Sequence, residues 1–167
     1  YDTGPSFSPL FDSGRDLILP YLRTRGVRTL HRLIISHEDN DHAGGAGAIK
    51  SGINVEQEIR SVGAKPCYGV EPWEADGVWF RFVGPVPRET DSMNNLSCVL
   101  LIEAGENSVL LSGDIGRARE IEIISSGTSD HGARWPRPLS LMLAPHHGSL
   151  SSSSYTWLSV WKPQWGV

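Results

Sequence analysis

Only two cysteines occur in 167 residues, and Cys67 and Cys98 lack the Cys-x-x-Cys spacing of a zinc or dithiol redox site. Thiolate metal chemistry is therefore excluded as an organising feature, while free buried thiols and a single disulfide both remain open. Long apolar stretches are absent too. The longest, such as residues 99–102 and 139–144, run to about five residues, against the roughly 20 a membrane-crossing helix needs. Nor is there an excess of positive charge. Fifteen Lys and Arg face nineteen Asp and Glu, a net charge of −4, which gives no general attraction for nucleic acid or an anionic membrane. A polyanionic substrate would have to be drawn by bound cations or by a local basic patch. Arg117, Arg119, Arg134 and Arg137 could form one, although a solvated charged face is the simpler reading. No internal repeat and no signal peptide is visible. The chain opens on Tyr1-Asp2-Thr3-Gly4-Pro5, a strand end entering a turn with no earlier strand to pair with, so both ends read as cut.

What is present fits one domain with a real core. A loop is expected up to Gly14, then a helix over 15–25 bent or shortened by Pro20. A buried strand over 30–35 leads to a Gly/Ala-rich helix beginning at 42–49, and 55–62 forms an element of open type. From Gly77 the pattern turns to strands. Val78, Phe80 and Phe82 alternate with Trp79 and Arg81, the signature of a half-buried strand. Residues 97–103 and 108–112 read as a hairpin, 116–125 as a helix, 139–144 as a buried strand, and 155–160 as a helix with serines for its cap. Strands with helices returning between them argue for a layered α/β domain. Trp79, Trp157 and Trp161 fall at strand or helix spacing and read as core, the sharper alternative being that the six tryptophans stack bases. His31 and His131 read as surface or satisfied polar residues.

The chemistry gathers after the strand at 30–35. Ser36-His37-Glu38-Asp39-Asn40-Asp41-His42 sets four potential metal ligands into six residues, and no packing requirement places His, Asp, Asp and His there. A tight turn can offer two ligands to each of two cations, and paired cations polarise a substrate oxygen and activate water at neutral pH. More donors are needed, and Asp114 and the pair His146-His147 also follow strands. Rigid strands delivering polar groups to one edge would preorganise such a site. Taken singly, Asp41 could equally be a helix cap and His42 a first-turn residue.

This pattern resembles the metallo-β-lactamase superfamily, whose hallmark is His-x-His-x-Asp-His after a strand; Asp39 stands here where the second His is usual. The serine before the motif and Gly44-Gly45 after it resemble the subgroup found in ComEC-type DNA-uptake proteins. So do Asp2-Thr3-Gly4-Pro5, Asn94-Asn95-Leu96-Ser97-Cys98, Ser112-Gly113-Asp114 and Pro145-His146-His147-Gly148-Ser149. The resemblance implies an αβ/βα sandwich, here a single domain over 1–167 truncated at both ends, belonging to a larger membrane-anchored protein and marginally stable alone. It implies that His37 and Asp39 serve one divalent ion and Asp41 and His42 the other, with Asp114 bridging. His146 or His147 would complete the second site, with catalytic roles for Asp41 and His146. Asp2, Asn95, Ser97 and Ser149 would support the ligands or meet the substrate, Asp2 alternatively being a plain turn residue. Asn95 occupies the region of the usual third histidine and is either a weak donor or part of a polar turn. A carboxylate at 39 moves the first site toward harder cations, Mn2+ beside Zn2+. The implied activity is a two-metal phosphodiesterase attacking phosphorus in DNA, single-stranded or entering as duplex, and degrading the strand not imported during natural transformation. Its partners would be DNA and the membrane channel part of the same protein, with no nucleotide cofactor and a periplasmic placement at the inner membrane. That compartment suits a Cys67–Cys98 disulfide. Hydrolysis of another ester, thioester or lactam, and a non-catalytic DNA-binding or assembly module, are the alternatives.

Overall fold

The computed structural model describes residues 1–62, 66–88, 90–126 and 138–167, which fall into two units, Tyr1–Pro66 and Cys67–Val167. His131, Arg134 and Arg137 lie outside the described residues.

The first unit opens with a hairpin, β1 (Ser6–Ser8) against β2 (Phe11–Asp12), inside the stretch where the sequence suggests only a loop. A wide turn over Gly14–Ile18 runs into α1 (Leu19–Thr24), with Pro20 in its first turn, where a missing N–H is tolerated. The α-helix expected over 15–25 is thus shortened to Leu19–Thr24. Next come β3 (Thr29–Ile35), α2 (Asn40–Ala43), α3 (Ala46–Gly52) and β4 (Asn54–Arg60). Strands β3 and β4 pair in parallel, from Thr29 opposite Asn54 to Ile35 opposite Arg60, so the chain must cross over between them, and the two helices provide the crossover. Leu19, Leu33, Ile35, Ala46 and Ile49 form the core beneath.

The single helix expected from 42 is broken at Gly44 and Gly45. A Cβ on Gly44 would sit 2.4 Å from the Ser6 nitrogen, and one on Gly45 2.5 Å from the Thr3 carbonyl oxygen. The opening segment therefore runs in backbone contact with the motif. Asp2 N donates to Ile34 O at 2.8 Å, Thr3 N to His42 O at 2.8 Å, and Gly45 N to Gly4 O at 3.0 Å. These bonds fix Asp2 beside the end of β3.

The second unit is built on one six-stranded sheet. It uses β5 (Trp73–Ala75), β6 (Val78–Phe82), β7 (Leu100–Ala104), β8 (Asn107–Leu111), β9 (Leu141–Met142) and β10 (Trp165–Gly166), in the order β10-β9-β8-β7-β6-β5. Neighbours from β5 to β8 are antiparallel, and β8, β9 and β10 are parallel. Asp76 and Gly77, both at positive φ, make the two-residue turn joining β5 to β6. Helix α4 (Arg117–Ser126) follows β8, and α5 (Tyr155–Trp161) starts on Ser154, whose Oγ accepts from Trp157 N at 3.2 Å. The strand expected over 139–144 narrows to two paired residues, its flanks bonding instead to Trp161 O and Val167 O.

Val83, Val99, Leu101, Leu110, Ile115, Ile123, Leu139 and Met142 pack around Trp157 and Trp161, whose rings meet edge to face at 5.4 Å. Trp79 corrects the expectation of a core residue: it is 51% exposed, on the outer face of β6 between Glu74 and Glu103. Its alternation with Phe80 puts it on the solvent side of a one-sided strand. Arg119 corrects the surface-patch expectation, being buried with its guanidinium 5.2 Å over the Tyr68 ring and bonded to Pro85 O and Glu122. Cys67 and Cys98 are joined in a disulfide, Cα atoms 5.9 Å apart.

Candidate functional site

In the first unit the buried end of β3 delivers Ser36 and His37, and α2 carries Asp41 and His42. Asp39 stands at the helix start in extended conformation, so the turn swings its carboxylate back toward His37. His37 Nε2 lies 3.4 Å from Asp39 Oδ2, and His42 Nε2 lies 3.5 Å from Asp41 Oδ2. The two imidazoles sit 4.2 Å apart, centre to centre. Behind them, Asp2 takes a left-handed φ of 56° and turns its carboxylate inward. Its Oδ1 accepts from Ser36 N at 2.6 Å, and its Oδ2 is 2.9 Å from Ser36 Oγ and 2.8 Å from His42 Nδ1. Asp2 thus holds His42 by the ring nitrogen remote from Asp41.

In the second unit the turn after β8 presents Asp114, buried, with its N–H donating to Ser97 Oγ at 3.1 Å. Asn95 Oδ1 accepts from Gly116 N at 2.9 Å and so braces the same turn. Tyr68 donates to Ser97 O, and the disulfide lies immediately beside both residues in sequence. Burial pushes the Tyr68 phenol up, with the Arg119 guanidinium opposing. After β9, His146 and His147 both adopt left-handed backbone, φ 49° and 53°. His147 Nε2 is 3.6 Å from Asp114 Oδ2, whereas His146 Nε2 is 3.9 Å away and accepts from Asn94 Nδ2 at 3.3 Å. His146 Nδ1 is 3.3 Å from Ser151 Oγ, which in turn meets Ser149 Oγ at 3.0 Å. Buried Glu120 fixes this loop from below by accepting from Ser153 N and Ser154 N.

The pair separations carry chemical meaning. At 3.4–3.6 Å a ring nitrogen and a carboxylate oxygen are too far apart for a good hydrogen bond. Two ligands of one tetrahedral ion at about 2.1 Å each are themselves about 3.4 Å apart. His37–Asp39, His42–Asp41 and His147–Asp114 therefore have the spacing of ligands to a common cation. The donor set is imidazole and carboxylate without thiolate, which suits zinc and manganese.

Sequence reasoning singled out these donors but passed over Ser36, Asn94 and Ser151 as groups that hold them. Serine ahead of the first histidine was the available signal for Ser36. For Asn94 and Ser151, 52 and 5 residues from His146, none existed beyond a polar turn.

Comparison with known proteins agrees with this geometry. Residues 2–96 match the model of the metallo-beta-lactamase superfamily. The chain is 33% identical over 95% of its length to competence protein ComA of Neisseria gonorrhoeae, covering 23% of that protein. It is 37% identical over 98% of its length to Recombination protein 2 of Haemophilus influenzae, and 35% identical over 92% to the uncharacterized protein YcaI of Escherichia coli, covering 20% of each. It thus spans about a fifth of the length of these relatives. Among the described residues, no helix is long and apolar enough to cross a membrane. With residues 2–96 matched and a mixed α/β architecture, the chain belongs to the metallo-beta-lactamase superfamily.

Proposed function

We propose that this chain is the metal-dependent phosphodiesterase domain of a DNA-uptake protein, cutting the DNA strand that is not imported. The observation that carries the proposal is the set of three His/Asp pairs at ligand spacing, each supported from behind by a fixed partner. The substrate class rests on the competence proteins to which the chain is similar. In this reading His37 with Asp39 and Asp41 with His42 would hold divalent ions in the first unit, and Asp114 with His147 would offer donors to such an ion in the second. Bound divalent ions would supply activated water at neutral pH and offset charge on the phosphate oxygens.

The chain's own residues do the rest. Asp2 keeps His42 oriented through Nδ1. Asp41 accepts the proton released by the attacking water. His146 stays out of the donor set, because Asn94 donates to its Nε2; its proton then sits on Nδ1, beside Ser151, and passes to the leaving oxygen from that nitrogen. Ser149 and Ser151, hydrogen-bonded beside it, meet the phosphate. The wider protein would place this domain in the periplasm beside its own membrane channel. Cleavage of labelled single- and double-stranded DNA with Mn2+, wild type against Asp114→Ala, tests the reading. The variant is expected to lose more than about a hundredfold in rate. Intact DNA with turnover of a small ester would move the substrate elsewhere, and protein that takes up no metal would leave a binding module.

A further inference from the structure

The Ser36 hydroxyl is fully buried between three groups. It lies 2.9 Å from Asp2 Oδ2, 3.0 Å from His37 Nδ1 and 3.3 Å from His42 Nδ1. A hydroxyl offers one hydrogen and two lone pairs. The Asp2 carboxylate only accepts, so the Ser36 hydrogen goes to Asp2 and a lone pair faces His37. His37 must then carry its proton on Nδ1 and leave its lone pair on Nε2, the nitrogen 3.4 Å from Asp39. The opposite arrangement, with Ser36 donating to His37, would put hydrogen on Nε2 and turn a non-ligand edge toward Asp39. It would also bring the hydroxyl oxygen against the carboxylate with no hydrogen between them.

We infer that Ser36 is a positioning residue that relays the charge of Asp2 to His37 and fixes it in the metal-binding tautomer. Asp2 does the same for His42 directly, at 2.8 Å. One carboxylate thus sets both imidazoles, one by contact and one through a hydroxyl. Partners of this kind outside the ligand set tune metal affinity about 10–100-fold. From its left-handed backbone the Asp2 carboxylate reaches Ser36 N, Ser36 Oγ and His42 together.

The inference rests on His37 being a metal donor, and its test is separable from DNA cleavage. Long-range 1H–15N correlation on the metal-free protein in mildly alkaline buffer reads the tautomer of His37. Wild type is expected to show the proton on Nδ1. Ser36→Ala is expected to admit the Nε2-protonated form and to weaken Zn2+ binding about 10–100-fold by calorimetry. Ser36→Thr, which keeps the hydroxyl, restores both. Wild-type His37 protonated on Nε2 overturns the inference even if no variant folds, as does an unchanged tautomer in a folded Ser36→Ala protein. The expected tautomer in a protein that never cuts DNA would instead sink only the proposed activity.

Discussion

His146 and His147 are adjacent in sequence and share an unusual backbone conformation, yet their surroundings divide them. His147 faces Asp114 at ligand spacing, while both nitrogens of His146 are engaged by Asn94 and Ser151. His147→Ala is therefore expected to lower bound metal, as read by elemental analysis. His146→Ala should retain the metal and lose turnover by about 100-fold, the range of a removed general acid. Equal metal content in both variants would contradict the division. Tyr68 supports Asp114 at one remove, through Ser97, and Tyr68→Phe should lower stability by about 1 kcal/mol in urea unfolding. Its pH dependence has a definite sign. The buried phenol keeps its proton to higher pH than an unfolded tyrosine, so the folded state binds more protons there. The stability it contributes is complete below about pH 10 and is lost as pH rises through the folded value. The phenylalanine variant should lack that alkaline decline.

At the scale of elements, the connection from β3 through α2 to α3 decides where the first-unit donors point. Gly45 has Thr3 O and Gly14 N within 2.6 Å of where a Cβ would stand. Gly45→Ala should therefore push the Asp2 segment away, destabilising by about 1–3 kcal/mol and weakening metal binding with it. Unchanged melting and affinity would show that the segment has room. The same elements show what sequence conveys. The strand before Ser36 and the serine-capped helix that carries Trp157 were legible, because periodic apolar residues and a cap are local signals. Strand β4 was not: only Val55 and Ile59 are apolar in it, and its identity comes from parallel pairing with β3. The break at Gly44 and Gly45 depends on a segment some forty residues away. Trp79 and Arg119 went astray for the same reason: spacing reveals a face, but not which face is covered.

For the whole molecule, the ligand residue types could be read in one pass, since a dense His/Asp run after a strand has no structural purpose of its own. Their pairing could not, because Asp2, Asn94 and Ser97 act across long stretches of chain. The central claim is that these pairs share divalent cations, and anomalous diffraction from crystals grown with Mn2+ tests it most directly. The account predicts manganese peaks within ligand distance of His37 and Asp39, of Asp41 and His42, and of Asp114 and His147. A map with no manganese at any of these side chains, at saturating Mn2+, would contradict it.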